Sequence, residues 1–172
     1  MRYVELRGHT DNDGDRLSEQ GVANPEAIGR TGLHPPYAAF VSTGAERASE
    51  MLHILRRAAG QDELPITTEI GLRSAVEDRW REAAKAAGEE ASLEEYGRLI
   101  LILSSTSLGC SALRYIGWSR DSRTTAGLWS SATAPTNEAA VSGLTGQTIA
   151  PLGKGEGALV VEDAGRYEVH PL

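Results

Sequence analysis

The stretch Val4–Asp13, VELRGHTDND, joins two kinds of sequence at a single histidine. Apolar residues alternate through Tyr3, Val4 and Leu6, as on a β-strand with one buried face. The next residues, GHTDNDGD, include nearly every turn-forming type, so the chain is read as a strand over Met1–Arg7 followed by an exposed loop. His9 stands at that junction, and its residue type alone decides nothing. An isolated loop histidine is common, and a pKa near 6.5 guarantees no role.

A similar junction recurs. YAAFVSTGAERASEMLHILRRAAG predicts a short strand at Ala39–Val41, a turn, and a helix with Met51, Leu52 and Leu55 at helical spacing. Between the two junctions, Ser18 is placed to cap a helix that Pro25 should interrupt or delay. LPITTEIGL predicts another short strand, and the charged, alanine-rich run beyond it a solvent-facing helix. The end of the chain predicts a helix from Asn137 and a hairpin in which GALVVE and RYEVHP flank a turn at Asp163–Gly165. Strands alternating with helices imply a three-layer α/β/α sandwich with a mostly parallel central sheet, in a single domain spanning 1–172.

With 172 residues the chain suits one compact domain, and its net charge of −7 disfavours nucleic acid and anionic membranes as partners. A small molecule or another protein is the expected partner. No apolar stretch approaches a membrane span, and the first residues lack the layout of a signal peptide, so the cytoplasm is the expected location. Cys110, the single cysteine, can neither close an internal disulfide nor pair with a second thiol around zinc. No cluster of His and carboxylates has metal-ligand spacing, and no cofactor or metal is expected. His34, His53 and His170 are scattered in unremarkable settings. The glycine-rich LGKGEG around Lys154 lacks the spacing of a phosphate loop and is read as a flexible connection.

In an open α/β sheet, ligands bind beyond the carboxyl ends of the strands. Arg7 and His9 after the first strand, with Ser42, Thr43 and Arg47 after the second, would form a donor-rich pocket suited to an oxyanion. A histidine there can attack phosphorus while arginines stabilise the transferring group.

The order VELRGHT, RLSEQG, FVSTGAERASEM and TNEAAVSGLTG resembles the histidine phosphatase superfamily, also called the phosphoglycerate mutase-like family, over almost the whole chain. The resemblance implies a metal-independent phosphatase working through a phosphohistidine on a small phosphorylated molecule. It makes His9 the nucleophile, Arg47 the second phosphate-binding arginine, and a carboxylate the acid that protonates the leaving group. Glu77 is the first choice for that acid, Asp78 the second and Glu69 the third; ordinary surface charge is the alternative reading of each. The first arginine's place falls on Gly8, with Arg7 displaced by one residue and so turned to the opposite face. Thr10 replaces the motif's glycine, and Thr133 stands where a late histidine belongs. A threonine hydroxyl can bind phosphate but carries no charge. Losing one oxyanion donor costs about 10²- to 10³-fold in rate, so with two positions altered the expected activity is low. A catalytically inactive binding or regulatory relative is therefore the second reading. A biosynthetic enzyme with other chemistry in the same pocket is a third.

The segment 98–134 is anomalous. It follows an acid-rich run, yet Tyr96–Arg120 contains no acid and clusters Ser, Trp, Cys and Arg. Leu128–Ala134 can be encoded as CTG TGG TCG TCG GCC ACA GCC, which from its third base reads Val-Val-Val-Gly-His-Ser. That is the strand and histidine motif which the resemblance calls for. A segment translated in a shifted frame between two compensating insertions or deletions explains it; natural divergence is the alternative.

Overall fold

The structure, a computed structural model, describes residues 2–31, 37–69, 127–132 and 136–172. The first strand, β1, spans Arg2–Gly8, one residue beyond the expected end. Beyond it the turn-rich loop closes on itself as a small antiparallel hairpin, β2 (Asn12–Asp13) and β3 (Arg16–Leu17). Gly14 supplies the positive φ of 61° that the reversal needs.

Helix α1 runs unbroken over Glu19–Thr31, with Pro25 inside it, where an interruption or a late start was expected. Ser18 caps it, its Oγ accepting the Gly21 N–H at 3.0 Å. A proline inside a helix leaves the carbonyl four residues earlier without its N–H. Here that carbonyl belongs to Gly21, and the Thr10 hydroxyl donates to it at 2.5 Å. A long-range side chain thus supplies the bond that Pro25 removes. The same contact needs glycine at 21, because a Cβ there would lie 1.8 Å from the Asp11 carbonyl oxygen.

Strand β4 (Ala39–Ser42) leads into α2 (Glu46–Ala58), and β5 covers Ile66–Thr68. Strand β6 (Gly127–Ala132) is followed by α3 (Thr136–Thr145), and the predicted carboxyl-terminal hairpin is β7 (Gly157–Asp163) with β8 (Arg166–Pro171). Ala164 and Gly165, with φ of 50° and 82°, make its tight turn.

Six strands form one sheet in the order β5-β4-β6-β1-β7-β8. β5, β4, β6 and β1 are parallel, while β7 and β8 add antiparallel strands at one side. The result is a mixed α/β fold. Val4, Leu6 and Val41 pack with Ala140 and Val141 of α3 and with Ala158 and Val160 of β7. Phe40 packs instead with Met51, Leu52 and Leu55 of α2, and Tyr37 meets Phe40 edge-on at 5.6 Å. Alternate residues of β4 therefore serve different clusters, as strand pleating requires.

Candidate functional site

The register brings several chain ends to one place. Gly8 pairs with Ala132 and Ser42 with Ser131, so β1, β6 and β4 deliver their carboxyl ends side by side. Helix α2 starts four residues after β4, and α3 four residues after β6. Because β7 runs against β1, with Gly157 opposite Arg7, the connection before β7 reaches the same edge. The parallel strands and the one reversed neighbour thus converge on His9.

His9 is half-buried, and its Nδ1 lies 3.0 Å from the Thr10 carbonyl oxygen. A carbonyl can only accept, so Nδ1 carries the proton and the neutral ring keeps its lone pair on Nε2. Burial is the main cause that lowers the His9 pKa below 6.5, and the charges of Arg47 and Lys154 lower it further, against the Thr10 bond and Asp15. The ring is therefore neutral and nucleophilic at pH 7.

Arg47, in the first turn of α2, is mostly covered and pairs through Nη1 with Asp15 of the small hairpin at 2.6 Å. The amino terminus of α2 has no side-chain cap at Ala45, leaving N–H groups and the positive end of the helix dipole at this edge. Ser42 Oγ accepts the Gly44 N–H at 3.0 Å and lies 2.9 Å from Ser49 Oγ, which fixes the turn into the helix. Thr43 is buried beside it.

Arg7 is differently employed. Its Nε donates to Glu5 Oε1 at 2.5 Å, its Nη1 to the Gly155 carbonyl at 3.0 Å, and the Tyr37 hydroxyl donates to the other Glu5 oxygen. Glu5 and Arg7, two residues apart on β1, share a face and are both buried. Gly8 follows with no side chain, and its N–H donates to the Glu156 carbonyl at 3.0 Å.

Of the other candidates, Glu69 sits at the end of β5, its N–H donating to the Ser42 carbonyl at 2.8 Å. Glu77, Asp78 and Thr133 lie outside the described residues, as do Cys110 and His34. His53 is exposed on α2, and His170 faces Glu168 on β8 at 3.6 Å. Among the described residues no group of three or more His, Cys, Asp or Glu is placed to hold a metal ion. No helix among them is long and apolar enough to cross a membrane.

Solved structures share this fold at low identity. The phosphoglycerate mutase of Bacillus anthracis matches with a TM-score of 0.66 and 18% identity over 99% of this chain and 91% of its own. A mycobacterial glucosyl-3-phosphoglycerate phosphatase in complex with VO3 gives 0.69 and 14% over 99% and 98%. The Entamoeba histolytica phosphoserine phosphatase in complex with 3-phosphoglyceric acid gives 0.69 and 9% over 98% and 95%. The fold is that of the histidine phosphatases. No family model and no curated protein matches the sequence itself.

Set against the histidine phosphatase pattern, the described residues bring His9 and Arg47 to one edge, with Gly8 beside them where an arginine would stand. Sequence reasoning missed Lys154. Its loop, expected to be a flexible connection, is tied down: Gly155 N–H donates to the His9 carbonyl at 3.2 Å and Glu156 N–H to the Gly153 carbonyl at 3.1 Å. A cleft of about 600 Å³, lined by Thr10, Asp11, Gln20, Ala23, Asn24 and Lys154, adjoins this edge through Thr10, the residue after His9. The available signal was a lone lysine between two glycines, directly before a strand.

Proposed function

We propose that this chain is a histidine phosphatase-like domain that binds a small phosphomonoester and hydrolyses it through a phosphohistidine on His9, at reduced efficiency. In this reading the described elements are part of a complete three-layer α/β/α sandwich acting in the cytoplasm. What carries it is the His9 ring: its Nδ1 bond to the Thr10 carbonyl leaves Nε2 as the basic nitrogen at the carboxyl edge of the sheet.

The Nε2 lone pair forms a bond to phosphorus as the ester P–O bond breaks, and the departing alkoxide takes a proton from a carboxylic acid, for which Glu77 is the first choice. Water then attacks phosphorus and gives a proton back to the same carboxylate as the P–N bond breaks, and inorganic phosphate leaves with the ring neutral again. Arg47 and the open amino terminus of α2 favour the charge on the transferring group. Thr133 would offer a hydroxyl to it, while Arg7, paired with Glu5, holds the Gly155 loop in place. No metal takes part in this scheme.

The reduced rate follows from Gly8 and Thr133, each of which replaces a cation of the resembling pattern. The same two positions favour the second reading, a phosphate-binding module without turnover. Hydrolysis of a chromogenic phosphate ester by the unmodified chain and by His9→Ala separates the two. The phosphatase reading expects slow turnover that falls at least about 10³-fold in the variant, with acid-labile phosphate recovered only from the unmodified chain. Equal rates would leave the binding module.

A further inference from the structure

An oxyanion pocket that has lost an arginine at one position can recover charge only from a neighbouring element. The loop before β7 comes so near Gly8 that a side chain there would make it shift by a few tenths of an ångström. A Cβ built at residue 8 would lie 3.2 Å from the Gly153 carbonyl oxygen and 3.8 Å from that of Glu156. The missing side chain and the close loop are two aspects of one arrangement.

Three contacts hold that loop against residues 7–9, and a fourth braces it internally. Gly8 N–H donates to Glu156 O, Gly155 N–H donates to His9 O, Arg7 Nη1 donates to Gly155 O, and Gly153 N–H donates to the Glu156 carboxylate. Gly155 is buried with φ of +76°, and a Cβ there would meet Asn24 Nδ2 at 2.5 Å. The positive φ favours glycine at this close approach to α1. The buried guanidinium of Arg7, balanced by Glu5 and Tyr37, thus anchors the residue next to Lys154.

We infer that Lys154 is the second phosphate-binding cation of this site, carried in on the loop that passes close to Gly8. In the structure its Nζ is 2.8 Å from Asp11 Oδ1, and the two side chains are 54% and 46% exposed. So exposed a pair is held weakly in water, and a phosphate dianion bound at the neighbouring His9 competes well for the ammonium. Asp11 holds the lysine in readiness when no anion is bound, and its carboxylate is the competitor that phosphate displaces. The Lys154 charge also bears on the His9 ring, as it must if it reaches the phosphoryl group.

The inference rests on the phosphate-site reading above, and its test separates the two. Inorganic phosphate binding to the intact chain is measured by calorimetry for Lys154→Met, Lys154→Arg, Asp11→Asn and the Asp11→Asn/Lys154→Met double variant. Thermal melts check that each folds, which the exposure of both positions favours. Lys154→Met is expected to weaken binding about 10- to 100-fold, the worth of one charged hydrogen bond, with Lys154→Arg staying within about threefold of the unmodified chain. Asp11→Asn is expected to tighten binding several-fold, and that gain should vanish in the double variant. Phosphate binding unchanged in Lys154→Met, but abolished in Arg47→Ala, would overturn the role of Lys154 and leave the phosphate site standing. Failure of the unmodified chain to bind phosphate would overturn both.

Discussion

Gly8 and Arg7 show how one residue of register separates two fates. Arg7 shares a face of β1 with Glu5, and its guanidinium is spent on Glu5 and Gly155. Removing one member of a buried ion pair strands its partner's charge, so Glu5→Ala is expected to cost about 3–5 kcal/mol in urea unfolding. Tyr37→Phe, which removes a hydrogen bond to the same carboxylate, should cost about 1.5–3 kcal/mol. Equal stability in all three proteins would rule out this network as a structural anchor. His9 makes a prediction of its own. Attack requires the neutral ring, and burial with nearby cations depresses its pKa below 6.5. The rate constant kcat/KM for a phosphate ester is therefore expected to be flat through neutrality and to fall only on the acid side of about pH 6.5. An acid limb centred above pH 7 would contradict the buried, cation-flanked ring. His9 was legible from its place after an alternating strand. The partners of Arg7 were not, because Tyr37 and Gly155 come from distant parts of the chain.

Strand β6 bears on the anomalous segment. It lies between β1 and β4, parallel to both, with Ser130 opposite Leu6 and Val41, two buried apolar residues. Central parallel strands read as apolar runs, and GLWSSA is a poor one, with one glycine and two serines in six positions. Val-Val-Val suits that place by its branched side chains. We propose that the segment 98–134 carries a shifted frame. The combined change Trp129→Val, Ser130→Val, Ser131→Val, Ala132→Gly, Thr133→His and Ala134→Ser is then expected to raise the melting temperature and increase phosphatase turnover at least about 10²-fold. A coding sequence with unbroken codon usage through the segment, together with no gain from the change, would favour natural divergence. Helix α1 teaches the opposite lesson about local reading. Pro25 correctly signals a lost helical bond, but only Thr10 in the folded chain shows that the loss is made good.

Across the whole molecule, the sheet edge that gathers the site also gathers unsatisfied polar groups. Among the described residues, Asn137, at the start of α3, is buried with neither amide atom paired, and Glu138 accepts the Leu152 N–H at 2.7 Å with one oxygen while the other finds no partner there. Burial pushes the Glu138 carboxyl above its ordinary 4.5. A raised folded pKa means that the folded chain holds the proton more tightly than the unfolded one. Stability is thus lost as pH climbs from 4.5 through the folded value. Glu138→Gln is expected to raise the melting temperature at pH 8 by roughly 2–4 °C, as about 1 kcal/mol does in a chain of this size, and to change it little at pH 4. A gain of equal size at both values would mean that ionisation is not the cause.

The sequence by itself determined the alternation of strands and helices, the terminal hairpin and the helix at Glu46–Ala58. These rest on local periodicity and turn chemistry, which neighbouring residues settle among themselves. It also picked out His9 and Arg47 as candidates, since each lies where a strand gives way to a loop or helix. Only the tertiary structure decided that the loop around Lys154 is pinned beside His9 and that Arg7 serves as its anchor. It alone made Gly8 and Gly155 places of close backbone approach. Those outcomes depend on β7 running antiparallel to β1, which brings residues 153–157 against residues 7–9. No local pattern encodes a pairing between segments nearly a whole chain apart.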